Sequence, residues 1–317
     1  MPAGLIVWTH LKIYTRTRMS RKRKKTKTAS SVSAVFVIIV AVVWLYTYID
    51  HPRTTAEKMQ LSVTAENSTA QAAPEPVSAG HSSDRAVSGN MEWAEVTDSR
   101  PQQIIRHTGY TLSYHPEWHV PNWVAWVLTA DEVTGEEERS NHFRPDPLVQ
   151  GDPVVTKDYS NSGYDRGHMA PAADMKWSEQ AMRESFYMTN MCPQNHSCNA
   201  GDWKDLEEME RDLAQRYDSI FIVCGPIVKD PLHTIGTERK IVVPEAFFKA
   251  FLRYTGKRWT AIAFRLPNTS GNRPLMTYML PVDSVEKETA IDLFYLLPDS
   301  IETAIESDYT VSDWIIK

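Results

Sequence analysis

Residues Ser162 to Pro171 read Ser-Gly-Tyr-Asp-Arg-Gly-His-Met-Ala-Pro, and further on the chain reads Thr189-Asn190-Met191-Cys192-Pro193-Gln194, then Asn199, Trp203, Glu207 and Arg211 at intervals of four. An α-helix turns every 3.6 residues, so positions four apart form one stripe that drifts about 40° per step. Trp203, Leu206, Met209, Leu213 and Tyr217 recur at spacings of three or four, which predicts a helix over 199–217. An amide, a carboxylate and a guanidinium then line one side of a helix whose neighbouring stripe, Leu206, Met209 and Leu213, faces the core. His168 lies in a glycine-containing segment between strand-like stretches. A hairpin followed by this helix would set His168 opposite Asn199.

These residue types suit phosphodiester hydrolysis. That reaction needs a base for water, a cation to stabilise charge on oxygen, groups that orient the phosphate, and substrate access. An imidazole with an ordinary pKa near 6.5 is largely neutral at pH 7 and can be the base. An Asn carbonyl with one nearby carboxylate suits a hard, hydrated cation such as Mg²⁺. Arg139, Arg166 and Arg211 can meet phosphate oxygens bidentately.

The two blocks together resemble the DNA/RNA non-specific endonucleases, the ββα-metal, endonuclease G-like family. The Asp-Arg-Gly-His signature stands as Asp165-Arg166-Gly167-His168, and every gap of Asn-x3-Gln-x4-Asn-x3-Trp-x3-Glu-x3-Arg fits from Asn190 to Arg211. The resemblance covers about residues 105–300. It implies that His168 is the general base, Asn199 the single direct protein ligand of a hydrated Mg²⁺ (with Mn²⁺ as substitute), and Glu207 a holder of metal-bound water. It implies that Asn190 and Gln194 shape the site, and that Arg166 and Arg211 contact phosphate or brace it. Arg139, in Arg139-Ser140-Asn141-His142-Phe143, matches the family's upstream arginine loosely and is read as a transition-state contact. Asp165 either meets substrate or positions Arg166. The products expected by resemblance carry 5′-phosphates, and a site that grips phosphates rather than base edges has little sequence preference.

Each of these residues also has a plainer reading. His168 alone would be a satisfied structural histidine, Asn199 a helix N-cap, Glu207 a surface charge and Trp203 core. Cys192, His196, Cys198 and Cys224 could be taken for a zinc site, but Cys-x3-His-x-Cys is not a usual zinc spacing. A Cys192–Cys198 disulfide bracing the loop is the stronger reading, with Cys224 a buried free thiol in an apolar strand. Glu136-Glu137-Glu138 reads as a solvated turn.

The net charge of −6 is unevenly spread. Nine of the 34 Lys and Arg lie before residue 50, where there is no acid, so the remainder carries a large acidic excess. Non-specific nucleic-acid affinity comes mostly from phosphate neutralisation, so a nucleic-acid site here must be a local basic groove on an acidic body. Val32 to Ile49 reads VSAVFVIIVAVVWLYTYI, without charge, behind the basic RKRKKTK at 21–27. A span of this length behind a basic flank predicts a signal anchor at 32–49 with residues 1–31 cytoplasmic and the rest periplasmic or extracellular; a cleaved signal peptide and a buried helix are the rivals. Met19 is a second candidate start. Residues 50–94 read as a flexible tether.

From residue 95 to 317 the texture is globular. Strands are expected within Tyr110–Val133, at Ser219–Val228 and at Trp259–Leu266, and a helix over Ser284–Leu297 closed by Pro298. The whole implies an α+β domain of ββα-metal type on an antiparallel sheet, tethered to a membrane and acting on DNA and RNA. The alternative is a catalytically inactive binding or interaction module on the same fold. A homodimer is one option for the assembly, and the oligomeric state stays open.

Overall fold

The computed structural model describes residues 90–269, 271 and 273–314. The basic segment 1–31, the apolar stretch 32–49 and the tether up to residue 89 lie outside the described residues. Among the described residues, no helix is long and apolar enough to cross a membrane.

Strands β1 (Ala94–Val96), β2 (Gln103–Arg106), β3 (Thr111–His115) and β4 (Val120–Thr129) come first, and a one-turn helix α1 (Ala130–Val133) ends β4. A long connection leads to β5 (Asp165–His168), α2 (Glu179–Glu184), β6 (Met191–Gln194), α3 (His196–Asn199) and the main helix α4 (Asp202–Tyr217). Then follow β7 (Ser219–Ile227), β8 (Thr234–Ile235), β9 (Ile241–Val242), β10 (Ala246–Tyr254), β11 (Trp259–Pro267), β12 (Met279–Leu280), α5 (Val282–Thr289), β13 (Ile291–Leu293) and α6 (Asp299–Glu306).

Seven strands form one antiparallel sheet in the order β12-β11-β10-β7-β4-β3-β2. Side chains alternate across a strand, so each central strand feeds two cores. Trp126, Ile222, Phe247, Phe251, Ile262 and Phe264 face the side that carries Trp203, Leu206 and Leu213 of α4. Trp123, Val223, Phe248 and Leu252 face the other side, where Ala250, Ala261 and Ala263 leave room for Val282 and Val285 of α5. Two covered faces explain why β10, Ala-Phe-Phe-Lys-Ala-Phe-Leu-Arg-Tyr, is buried at every residue but the last. Such a strand has no polar alternation, and sequence reading did not single it out.

The strands expected at Ser219–Val228 and Trp259–Leu266 are β7 and β11. Two expectations are corrected. The helix read over Ser284–Leu297 stops at Thr289, where Ala290 takes a left-handed φ of 54°; Ile291–Leu293 then pair with Ala94–Val96. Val285 and Leu293 keep a multiple of the four-residue spacing, so helical periodicity reads straight through the break. The helix read over 199–217 is two pieces, with Asn199 ending α3 and α4 starting at Asp202.

Within the α4 side of the core lies an ion pair. Lys249, fully buried on β10, sets its Nζ 2.7 Å from Glu210 Oε2 and 4.6 Å from the Trp203 ring centroid. Beside it, Arg211 NH1 donates to Asp174 Oδ1 at 3.0 Å, and Trp126 Nε1 donates to Asp174 Oδ2 at 3.1 Å. Burial would strip the Lys249 proton, but the Glu210 carboxylate beside it holds the ammonium above its ordinary value. Removing one member of a buried pair strands the other charge. Lys249→Met alone should therefore cost about 3–5 kcal/mol in urea unfolding, and Lys249→Met with Glu210→Met should recover most of that. A single-variant loss under about 1 kcal/mol would show that the pair is not desolvated in solution.

Candidate active site

The predicted hairpin forms. Strand β5 pairs antiparallel with β6, matching Asp165 to Gln194 and His168 to Met191, and the chain then enters α3 and α4. The three pieces are the ββα unit that the resemblance implied. Its hydrogen bonds explain the two short segments. Asn190 Oδ1 accepts from Ala170 N at 2.9 Å, and its Nδ2 donates to Ala170 O and Ser185 O. The Trp203 indole Nε1 donates to His168 O at 3.1 Å, so α4 holds the end of β5 by its backbone.

A cavity of about 420 Å³ opens over this unit. Its lining brings together Arg139, Asp165, Arg166, His168, Asn199 and Glu207, six of the residues singled out from sequence. His168 is 7% exposed, and its Nε2 has no hydrogen-bond partner. Its ring meets Phe186 edge-on at 4.9 Å and Phe143 at 5.6 Å. Burial, with Arg139 and Arg166 nearby, pulls its pKa down to about 3; imidazolium is disfavoured both by lost hydration and by two like charges.

The Asn199 amide Nδ2 donates to Asp165 Oδ2 at 2.9 Å, and the same oxygen meets His196 Nδ1 at 2.9 Å. No donor among the described residues reaches Asn199 Oδ1, which leaves that carbonyl for a cation. Glu207 lines the same cavity, and burial lifts its carboxyl to about 7 against the pull of Lys249. A neutral amide oxygen and a carboxylate are the oxygen donors that a hard divalent ion takes. The pair therefore fits a metal of the Mg²⁺ class.

The cationic side of the site is built by packing. Arg166 Cζ lies 4.4 Å from the Phe143 ring centroid, and Arg139 Cζ lies 5.0 Å from that of Phe186. Phe143 is placed by a stitched loop: Arg144 N donates to Phe186 O, Met188 N donates to Arg144 O, and buried Asp146 takes hydrogen bonds from Thr189 Oγ1 at 2.6 Å and His107 Nε2 at 2.9 Å. Lys204 adds a third cation to the lining, ion-paired to Glu208 at its outer edge.

Three residues expected to shape the site, or to contact phosphate or brace it, lie off the cavity wall. Asn190 is buried and committed to backbone, as above. Gln194 is buried beneath Gly167, and neither of its amide atoms has a partner. Arg211 turns to Asp174. Asn190 and Gln194 are fully buried amides without access to a phosphate, and Arg211 is held by Asp174. Asp165 orients Asn199 rather than Arg166. Conversely, Phe143, Tyr159, Tyr164 and Lys204 line the cavity without having been singled out. Phe143 lies four residues after Arg139, and Lys204 adjoins Trp203; the two tyrosines carry no spacing signal. The Glu136–Glu138 turn is exposed as expected.

The cysteines correct another expectation. Cys192, Cys198 and Cys224 are all free and buried, so no disulfide braces the loop. Burial pushes the Cys198 thiol up to about 12 and raises the other two, and protonated thiols are poor metal ligands. Among the described residues, neither they nor His196 belong to a group of closely set metal-ligand atoms.

The profile of the DNA/RNA non-specific endonuclease family matches residues 90–300. The chain belongs to this family. Its relatives include the mitochondrial nuclease EXOG of Danio rerio, 34% identical over 204 residues that make up 59% of this chain and 60% of that one. The mitochondrial nuclease of Saccharomyces cerevisiae is 34% identical over 215 residues, 61% of this chain and 65% of its own. The chain thus spans less than two thirds of the length of these relatives. A crystal structure of an EndoG/EndoGI complex superposes with a TM-score of 0.58 at 28% identity, covering 62% of this chain and 88% of its own.

The packing of Gly167 yields a test. A Cβ at 167 would overlap the Gln194 side chain. Gly167→Ala should destabilise the fold by about 1–3 kcal/mol, the usual cost of overpacking, and Gln194→Ala in the same chain should restore part of it. Additive losses in a double-mutant cycle followed by thermal unfolding would disprove the contact.

Proposed function

We propose that this domain is a metal-dependent, sequence-non-specific endonuclease that hydrolyses phosphodiester bonds in DNA and RNA. The observation that carries the reading is the unpartnered Nε2 of a nearly buried, neutral His168 in a cavity that also holds Asn199, Glu207 and three cationic side chains. Arg139, Arg166 and Lys204 supply phosphate contacts without reading bases. His168 Nε2 takes the proton of the attacking water, and an entering phosphate, being anionic, raises the basicity of that nitrogen. Asn199 and Glu207 would hold a Mg²⁺ or Mn²⁺ ion. Such an ion, when bound, stabilises charge on the phosphoryl and leaving oxygens. Asp165 keeps the Asn199 carbonyl turned outward. An inactive binding module is disfavoured, because a binding site gains nothing from an imidazole kept deprotonated beside two guanidinium groups.

His168→Ala should slow plasmid nicking by about 10²–10⁴-fold, the range for loss of a general base, with Mg²⁺ affinity by calorimetry little changed. Asn199→Ala should weaken metal binding itself and recover part of its activity at high Mg²⁺. EDTA should stop cleavage, and Mg²⁺ or Mn²⁺ should restore it. Exchanged phenotypes between the two variants would reverse the assignments.

The pH profile follows from burial. His168 must be neutral to accept a proton, and its lowered pKa keeps it neutral as pH falls. The acid limb of kcat/KM at saturating Mg²⁺ should therefore lie below 6.5, where a solvated histidine would place it. A limb at or above 6.5 that disappears in His168→Gln would refute a buried, neutral base.

We also propose that residues 32–49 anchor the chain with the nuclease domain outside the cytoplasm, a reading that rests on the basic flank and uncharged stretch alone. Protease added to intact cells, with any outer membrane permeabilised, should degrade the domain; full protection would refute it.

A further inference from the structure

On the sheet face opposite the catalytic cavity, α5, β13 and α6 enclose a second hollow of about 390 Å³. Its lining is acidic. Asp283 and Glu286 stand three apart on α5, Glu302 and Glu306 stand four apart on α6, and Asp292 on β13 lies between. Residues three or four apart on a helix project from the same side, so each helix aims two carboxylates at the hollow. The one basic residue in the lining, Lys287, is exposed and bonds Asp283 Oδ2 at 3.1 Å.

Two observations distinguish this cluster from an ordinary acidic surface. Carboxylate oxygens of Asp283, Glu286 and Glu306 all lie within 4.8 Å of one another. Oxygens bound to one Ca²⁺ at about 2.3–2.6 Å are separated by at most about 5 Å, so the three oxygens are already at ligand spacing. Independently, Glu306 is only 3% exposed, and its Oε1 has no hydrogen-bond partner. A buried carboxylate oxygen without a donor requires a proton or a cation. Glu286 is steered as well, because Leu293 N donates to its Oε1 at 2.8 Å and its second oxygen is left over. The donor atoms are all hard oxygens, with no imidazole or thiolate, which selects against zinc and copper.

We propose that Asp283, Glu286 and Glu306 bind one hard divalent cation of the calcium type, at a site separate from the catalytic cavity. The crowding of these carboxylates against one another is the cost that a bound ion would relieve. An ion there would clamp α5 to α6, whose neighbours β13 and β1 close the back of the domain.

The test uses the whole protein with Asn199→Ala, to silence the proposed catalytic metal site. Calorimetry with CaCl₂ at pH 7.5 should give one equivalent of Ca²⁺, and Ca²⁺ at about 100-fold above Kd should raise Tm by about 5–10 °C over EDTA. Adding Glu306→Gln should abolish both effects. In the otherwise native chain, Glu306→Gln should keep nicking activity at saturating Mg²⁺ within about twofold. Should Glu306→Gln fail to fold, Asp283→Asn, at a half-exposed position, should also abolish Ca²⁺ binding. Absence of binding in Asn199→Ala, or binding that survives both Glu306→Gln and Asp283→Asn, would overturn the proposal. So would a Glu306→Gln chain that is more stable than its parent in EDTA while calcium changes neither, since the cluster would then share protons instead.

Discussion

The hydrogen bond from the Trp203 indole to the His168 carbonyl joins the two halves of the site. At 3.1 Å inside the core, it ties the end of a four-residue strand to the first turn of the main helix. A two-stranded hairpin of this length has little stability of its own, so its position must come from elsewhere. The same indole packs on Phe247 and lies under the Lys249 ammonium, which anchors it to the central sheet. The geometry of a surface cavity therefore depends on a strand in the middle of the molecule.

Electrostatics runs through the same contacts. Three carboxylates, Asp174, Glu207 and Glu210, face two cations, Lys249 and Arg211, beneath the cavity floor. Burial raises all three carboxyls, and that of Glu207, which lines the cavity, to about 7. On the other wall, Arg139 and Arg166 rest on aromatic rings and depress the imidazole between them. His168 and Glu207 thus sit in opposite surroundings within one hollow, a contrast that burial makes possible because charges interact more strongly out of water.

How much of this could be read in advance depended on periodicity. The hairpin and helix announced themselves through Asp165-Arg166-Gly167-His168 and the four-residue stripe, and six of the nine site residues named from the sequence, Arg139 among them, do line the cavity. The stripe was less informative about depth. Asn190 and Gln194 look polar in a string of letters, but their side chains are satisfied, or enclosed, beneath the backbone they support. Strand β10 was illegible for a different reason: a strand covered on both faces has no alternation, and its lysine reads as a surface residue until its partner Glu210 is known. The break at Ala290 was hidden because strand β13 continues a helical spacing.

The three thiols have a practical meaning. Each is unpaired and enclosed by apolar side chains, so the described domain has no covalent cross-link among its own residues. Its folding asks nothing of an oxidase or an isomerase, and glutathione has no bond to break. Whichever side of a membrane receives the chain, the same native contacts are available to it, and a recombinant domain can be prepared without a redox refolding step.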